Sequence, residues 1–87
     1  MDLTEPATQT MLRRAVKEGK PRLFALYGAL KHYPDQLLVG WGMELPADGG
    51  ALFQWLENRV IHRADSADQV FQLQQIIGDF EMTWLDE

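Results

Sequence analysis

Nine residues restrict this chain more than any others. From Leu37 to Leu45 every odd position is apolar (Leu37, Val39, Trp41, Met43, Leu45), while Leu38, Gly40, Gly42 and Glu44 occupy the even ones. A repeat of two is the signature of an extended strand whose successive side chains point to opposite faces of a sheet. The interleaved glycines raise a specific question. Either they make a binding site around Trp41, or they only let the sheet pack, since a strand without side chains allows another backbone or a helix to approach closely.

The alternation continues. Pro46-Ala47-Asp48-Gly49-Gly50 reads as a turn. Ala51 to Leu56 is a second strand, with Phe53 and Trp55 set against Leu52, Gln54 and Leu56. Glu57-Asn58 is a tight turn, and Arg59 to Ala64 is a third strand. Near the C-terminus Phe80, Met82 and Trp84 alternate with Glu81, Thr83 and Leu85 in a closing strand.

Two stretches break the period. Ser66, followed three residues later by Gln69, forms a capping box, and Asp65 and Asp68 add negative charge at the helix start. The pattern predicts a helix over 66–77. It would bury Val70, Leu73, Ile76 and Ile77, with Phe71 at the edge and Gly78 as the stop. At the N-terminus Thr4 or Glu5 can cap a second helix, with Pro6 in its first turn. Ala7, Met11, Leu12, Ala15 and Val16 form its one-sided stripe, and Gly19 with Pro21 ends it. Residues 22–33 stay open between strand and helix. Leu23, Leu26, Tyr27 and Leu30 match a helical face, yet an unbroken apolar run also suits a buried strand.

Together these elements predict an α+β fold: an N-terminal helix, then an antiparallel meander sheet of four to five strands with the 66–77 helix packed on an aromatic face. At 87 residues this is a single domain, a helical arm over 1–20 and a sheet-plus-helix body over 22–87. With 46% hydrophobic and 24% charged residues, the chain is globular rather than disordered. Val39, Trp41, Met43, Phe53, Trp55, Phe80, Met82 and Trp84 are expected on the helix-covered face. The reverse face would carry Leu38, Leu52, Leu56, Ile61 and Leu85, with Gly40 and Gly42 as a shallow trough.

The stretch running from Gly40 through Trp55 and His62 to the C-terminus resembles a group of small prokaryotic α+β proteins with no assigned activity. The features carrying this are a glycine-rich strand (Gly42), an Asp48-Gly49 turn, a strand ending in Trp55, a helix start with Ser66 and Asp68, and a closing Trp84-Leu85-Asp86. The resemblance implies a strand just before the glycine-rich one, over 22–29. The helix over 5–18 is a departure from that pattern.

Charge narrows the functions. The net charge is −5, but residues 1–34 hold six basic and three acidic side chains, and residues 35–87 hold two basic and ten acidic ones. An acidic body disfavours a phosphate backbone as partner. The exception is Arg13, Arg14, Lys17, Lys20 and Arg22, a basic segment able to contact phosphates or an acidic partner. Ser66, His62 and Asp65 hold the residue types of a hydrolytic triad, but Ser66 is better explained as a helix cap, and no nucleophile elbow surrounds it. Asp65, Asp68, Asp79, Asp86 and Glu87 lack the spacing of a calcium loop. No cofactor or metal is expected. Without cysteine the chain has no disulfide framework. Its longest charge-free apolar run, residues 23–30, is far short of a membrane span. The opening Met1-Asp2-Leu3 lacks the order of a signal peptide, so a soluble cytoplasmic protein is expected.

The function that fits is a small acidic, non-enzymatic protein–protein interaction module: an inhibitor, an immunity-type protein or an accessory subunit, or one that associates with itself. Leu38, Gly40, Gly42, Leu52, Leu56 and Ile61 are its expected contact surface. The alternative is a nucleic-acid-binding regulator using residues 13–22.

Overall fold

A computed structural model describes residues 6–85. The expected caps Thr4 and Glu5, and the acidic pair Asp86 and Glu87, lie outside these residues. The order of elements is α1 (Pro6–Glu18), β1 (Arg22–Leu30), β2 (Leu37–Glu44), β3 (Ala51–Trp55), β4 (Ile61–Ala64), α2 (Ala67–Gln74) and β5 (Gly78–Trp84). The fold is α+β. Residues 22–30, open to two readings in the sequence, form a strand.

The five strands make one antiparallel sheet in the order β4-β3-β2-β1-β5. The first four are a meander. α2 then carries the chain across one face, from one edge of the sheet to the other, where β5 pairs with β1. Phe24, Leu26, Phe53 and Val70 are fully sealed between α2 and the sheet. Each such side chain contributes roughly 1.5–3 kcal/mol by leaving water. The rings form a chain. Phe24 stacks on Phe53 at 6.0 Å, Phe53 meets Trp55 edge-on at 4.8 Å, and Trp55 lies 4.8 Å from Phe80.

The register overturns the expected division of faces. Gly42 stands opposite Phe53 and Gly40 opposite Trp55, while Trp41 stands opposite Gln54. The two glycines therefore belong to the helix-covered face, and Trp41 with Val39 and Met43 to the other. The cause is the loop between β2 and β3. Four residues, Pro46 to Gly49, separate Leu45 from Gly50, whose backbones are joined by a 2.8 Å hydrogen bond. An even loop pairs odd positions of one strand with even positions of the next. An odd loop would have gathered Trp41, Phe53 and Trp55 on one side. The glycines are gaps for neighbouring rings: a Cβ on Gly42 would stand 2.5 Å from Phe24 Cζ, and one on Gly40 would strike Phe53 and stand 2.9 Å from Trp55 Cε3. That answers the question they raise.

The loop has its own geometry. Gly49 N–H donates to the Pro46 carbonyl at 3.1 Å, and both residues between them have positive φ, Ala47 at 54° and Asp48 at 61°. This is the pattern of a type I′ turn. The left-handed positions fall on Ala47 and Asp48 rather than on Gly49.

α2 starts as the sequence predicts and ends three residues early. Ser66 Oγ accepts the Gln69 N–H at 3.1 Å, and the Asp65 N–H donates to Gln69 Oε1 at 2.6 Å. Glu44 supplies a second cap from β2, its Oε2 accepting the Ala67 N–H at 2.8 Å. Residues 75–77 close as turns, Ile77 N–H donating to the Gln74 carbonyl, and Gly78 opens β5 instead of capping the helix. The buried stripe is Ala67, Val70 and Gln74. Of the expected stripe, only Val70 is sealed, and Leu73, Ile76 and Ile77 face outward. Gln74 is accepted inside because its Oε1 takes the Trp55 Nε1–H at 3.3 Å.

Candidate interaction surface

The face turned away from α2 is the most unusual surface of the molecule. β1 contributes Leu23, Ala25 and Tyr27, β2 contributes Val39, Trp41 and Met43, and β3 and β4 add Leu52 and Ile61. Trp41, at the middle, is 49% exposed. A side chain of this size on a solvated face leaves a large apolar area in water, the usual mark of a contact site. Around it Leu23, Met43, Leu52, Gln54 and Ile61 frame a shallow depression of about 250 Å³. That is below the roughly 300–1,000 Å³ of small-molecule sites, and suits an inserted side chain better than a whole ligand.

Polar groups mark the borders. Arg63 lies on this face at the β4 edge, opposite Leu52. At the β5 edge Asp79 and Glu81 share the face with Ala29 and Tyr27. The Tyr27 hydroxyl donates to Glu81 Oε2 at 2.9 Å. That hydrogen bond, with the charge of Glu81, raises the Tyr27 phenol above the ordinary tyrosine value.

The expected contact residues are not one surface. Leu52 and Ile61 lie on the open face. Leu38, Gly40 and Gly42 lie on the helix side, where Leu38 packs against the core. Leu56 follows the end of β3 and is exposed. The residues the sequence reading missed are Leu23, Tyr27, Val39, Trp41 and Met43. The even loop between β2 and β3 was the signal for the last three, since it fixes which strand positions share a side.

The basic segment is likewise divided. α1 has no buried residue. Arg13, Arg14 and Lys17 lie together with Thr10 along one of its sides. Arg22 lies on the helix-covered face, its guanidinium carbon 3.8 Å above the Trp84 ring. Lys20 is in the exposed connector.

The residues of the sketched triad are placed apart by role. Ser66 Oγ is held by the helix backbone, and the His62 ring is 6.3 Å from Phe53 on the helix side of β4. Among the described residues no three His, Asp or Glu side chains converge as a metal site. None of the described helices is long and apolar enough to cross a membrane. Comparison with known proteins finds no family model, no curated protein and no solved structure that matches the chain.

Proposed function

We propose that this chain is a non-enzymatic protein–protein interaction module, of inhibitor, immunity or accessory-subunit type, and that its contact surface is the helix-free face of the sheet. The observation carrying this reading is Trp41, a large ring set at the centre of an apolar face that neither helix covers. Tryptophan at the middle of an apolar patch with polar borders is the usual composition of a binding hot spot. Cytoplasmic residence belongs to the same reading.

Site-specific photo-crosslinking tests it. A photoreactive residue at Gln54, beside Trp41 on the open face, is expected to give a discrete protein adduct in the source cell. The same group at Gln72, on the exposed side of α2, is expected to give none. Absence of an adduct at Gln54, or equal yields at both positions, would sink the proposal.

A second reading, a nucleic-acid-binding regulator, draws on the alignment of Arg13, Arg14 and Lys17 along one exposed side of α1. It requires binding that weakens steeply with salt and is lost when the three are replaced by glutamine.

A further inference from the structure

α1 and the open sheet face are two surfaces of one chain that share a deficiency. On α1, Met11, Leu12, Ala15 and Val16 lie along one side of the helix, and Arg13 and Lys17 along the opposite side. The apolar side is left in water: Met11 is 67% exposed and Val16 73%. A 13-residue helix is marginal on its own. None of its described residues is buried.

The two surfaces fit each other in size and charge. Five strands at about 4.8 Å spacing make a face about 24 Å wide. A 13-residue helix is about 20 Å long. Residues 6–22 carry five basic and one acidic side chain, and residues 23–85 carry three basic and eight acidic ones. Asp79 and Glu81 border the open face. Arg14 flanks the apolar stripe of α1, where it can meet them.

α1 does not lie on its own sheet. The molecule measures 57 × 24 × 21 Å, and its radius of gyration is 16.8 Å against about 12 Å for a compact chain of this length. The connector Gly19-Lys20-Pro21 favours this separation. Pro21 has a fixed φ and confines Lys20 to extended backbone, so the connector resists a sharp reversal.

We infer that the occupant of the open face is α1 of a second copy, exchanged reciprocally in a two-fold dimer. This rests on reading that face as an interaction surface. Exchange doubles the contact, since each protomer both gives a helix and receives one. The stripe of Met11, Leu12, Ala15 and Val16 lies over Trp41 and its neighbours, and Arg14 faces Asp79 and Glu81 of the partner subunit.

Light scattering on the full chain, with two interface variants and their mixture, provides the test. The wild type is expected at twice the mass of one chain. L12D/V16D on the helix, and W41D on the face, are each expected at the mass of one chain. An equimolar mixture is expected to regain the double mass, because the helix of one variant meets the intact face of the other. It needs a higher concentration than the wild type, since one of two contacts remains. Circular dichroism of each variant alone checks that it is folded. A helix variant that stays dimeric overturns the inference in favour of sheet-on-sheet packing. So does a mixture of two folded variants, judged by circular dichroism, that never recovers. A monomeric wild type whose spin labels at Gln9 and Gln54 are close overturns it in favour of the chain's own helix. A monomeric wild type that still gives the Gln54 adduct with another protein overturns this inference alone. One that gives no adduct removes the interaction reading as well.

Discussion

Trp41 and Trp55 occupy adjacent rungs of the β2–β3 ladder and lie on opposite sides of the sheet, Trp41 across from Gln54 and Trp55 across from Gly40. One ring is half in water. The other is 5% exposed and hydrogen-bonded to Gln74. Trp55→Ala is therefore expected to cost about 3–5 kcal/mol, the range for emptying a packed aromatic site. Trp41→Ala is expected to cost dilute, dissociated protein less, about 1–2 kcal/mol, because only half of the ring is out of water. Urea unfolding checks both, and similar losses at the two positions would contradict the register.

The gaps at Gly40 and Gly42 are filled by rings from β1 and β3. Any side chain there pushes against Phe24 or Phe53, neither of which has free space to move into. Gly42→Ala and Gly40→Ala are each expected to lose about 1–3 kcal/mol. Gly49→Ala is not a suitable control, because it sits in the turn. Thr83→Ala, on the open side of β5, serves better.

In the β2–β3 turn an alanine holds a left-handed backbone that costs an L-residue about 1–2 kcal/mol. Ala47→Gly relieves this at some cost in unfolded-chain entropy, and the net gain expected is about 0.5–1 kcal/mol. Asn at this position should also raise the melting temperature, since asparagine tolerates this backbone. A lower melting temperature in both variants would rule out the I′ geometry.

Glu44 holds the first turn of α2 from another strand. Its removal leaves the Ala67 N–H without its acceptor. Glu44→Ala should cost about 1 kcal/mol, with faster amide exchange in the first turn of α2. Glu57→Ala, on the exposed turn after β3, should cost almost nothing.

Tyr27 gives a pH-dependent signature. Glu81 accepts the phenol proton and opposes a second negative charge, so the folded phenol titrates above its unfolded value. The stabilising contribution is present below the unfolded tyrosine pKa and is lost as pH rises through the folded one. In a Tyr33→Phe background, ultraviolet absorbance of tyrosinate should show a raised midpoint. Glu81→Gln should move it back towards the ordinary value.

How much of this was legible in the residues varies by element. The strand over 37–45 and the cap at Ser66 were plain, because each depends on a local pattern: a repeat of two, and a hydroxyl three residues before a glutamine. The side on which each strand residue falls was not local. Trp41 belongs with Val39 and Met43 whatever happens elsewhere, but whether that set meets Phe53 depends on the parity of the 46–49 turn between the two strands, which no single strand's pattern contains. The helix stripe failed for a related reason. Gln74 is polar, yet its bond to Trp55 lets it sit inside, and α2 ends there, so Ile76 and Ile77 fall in the turns that follow. The N-terminal stripe of Met11, Leu12 and Val16 was legible as amphipathic. What it packs against was not, because that depends on a surface assembled from other strands.

The pairing of β5 with β1 has a consequence for synthesis. Residues 22–30 leave the ribosome long before residues 78–84, so one edge of β1 stays unbonded while the intervening segments emerge. During that interval Phe24 and Leu26 lie beside open backbone groups, an invitation to stray annealing with other nascent chains. The final strand thus acts as a late latch on that edge.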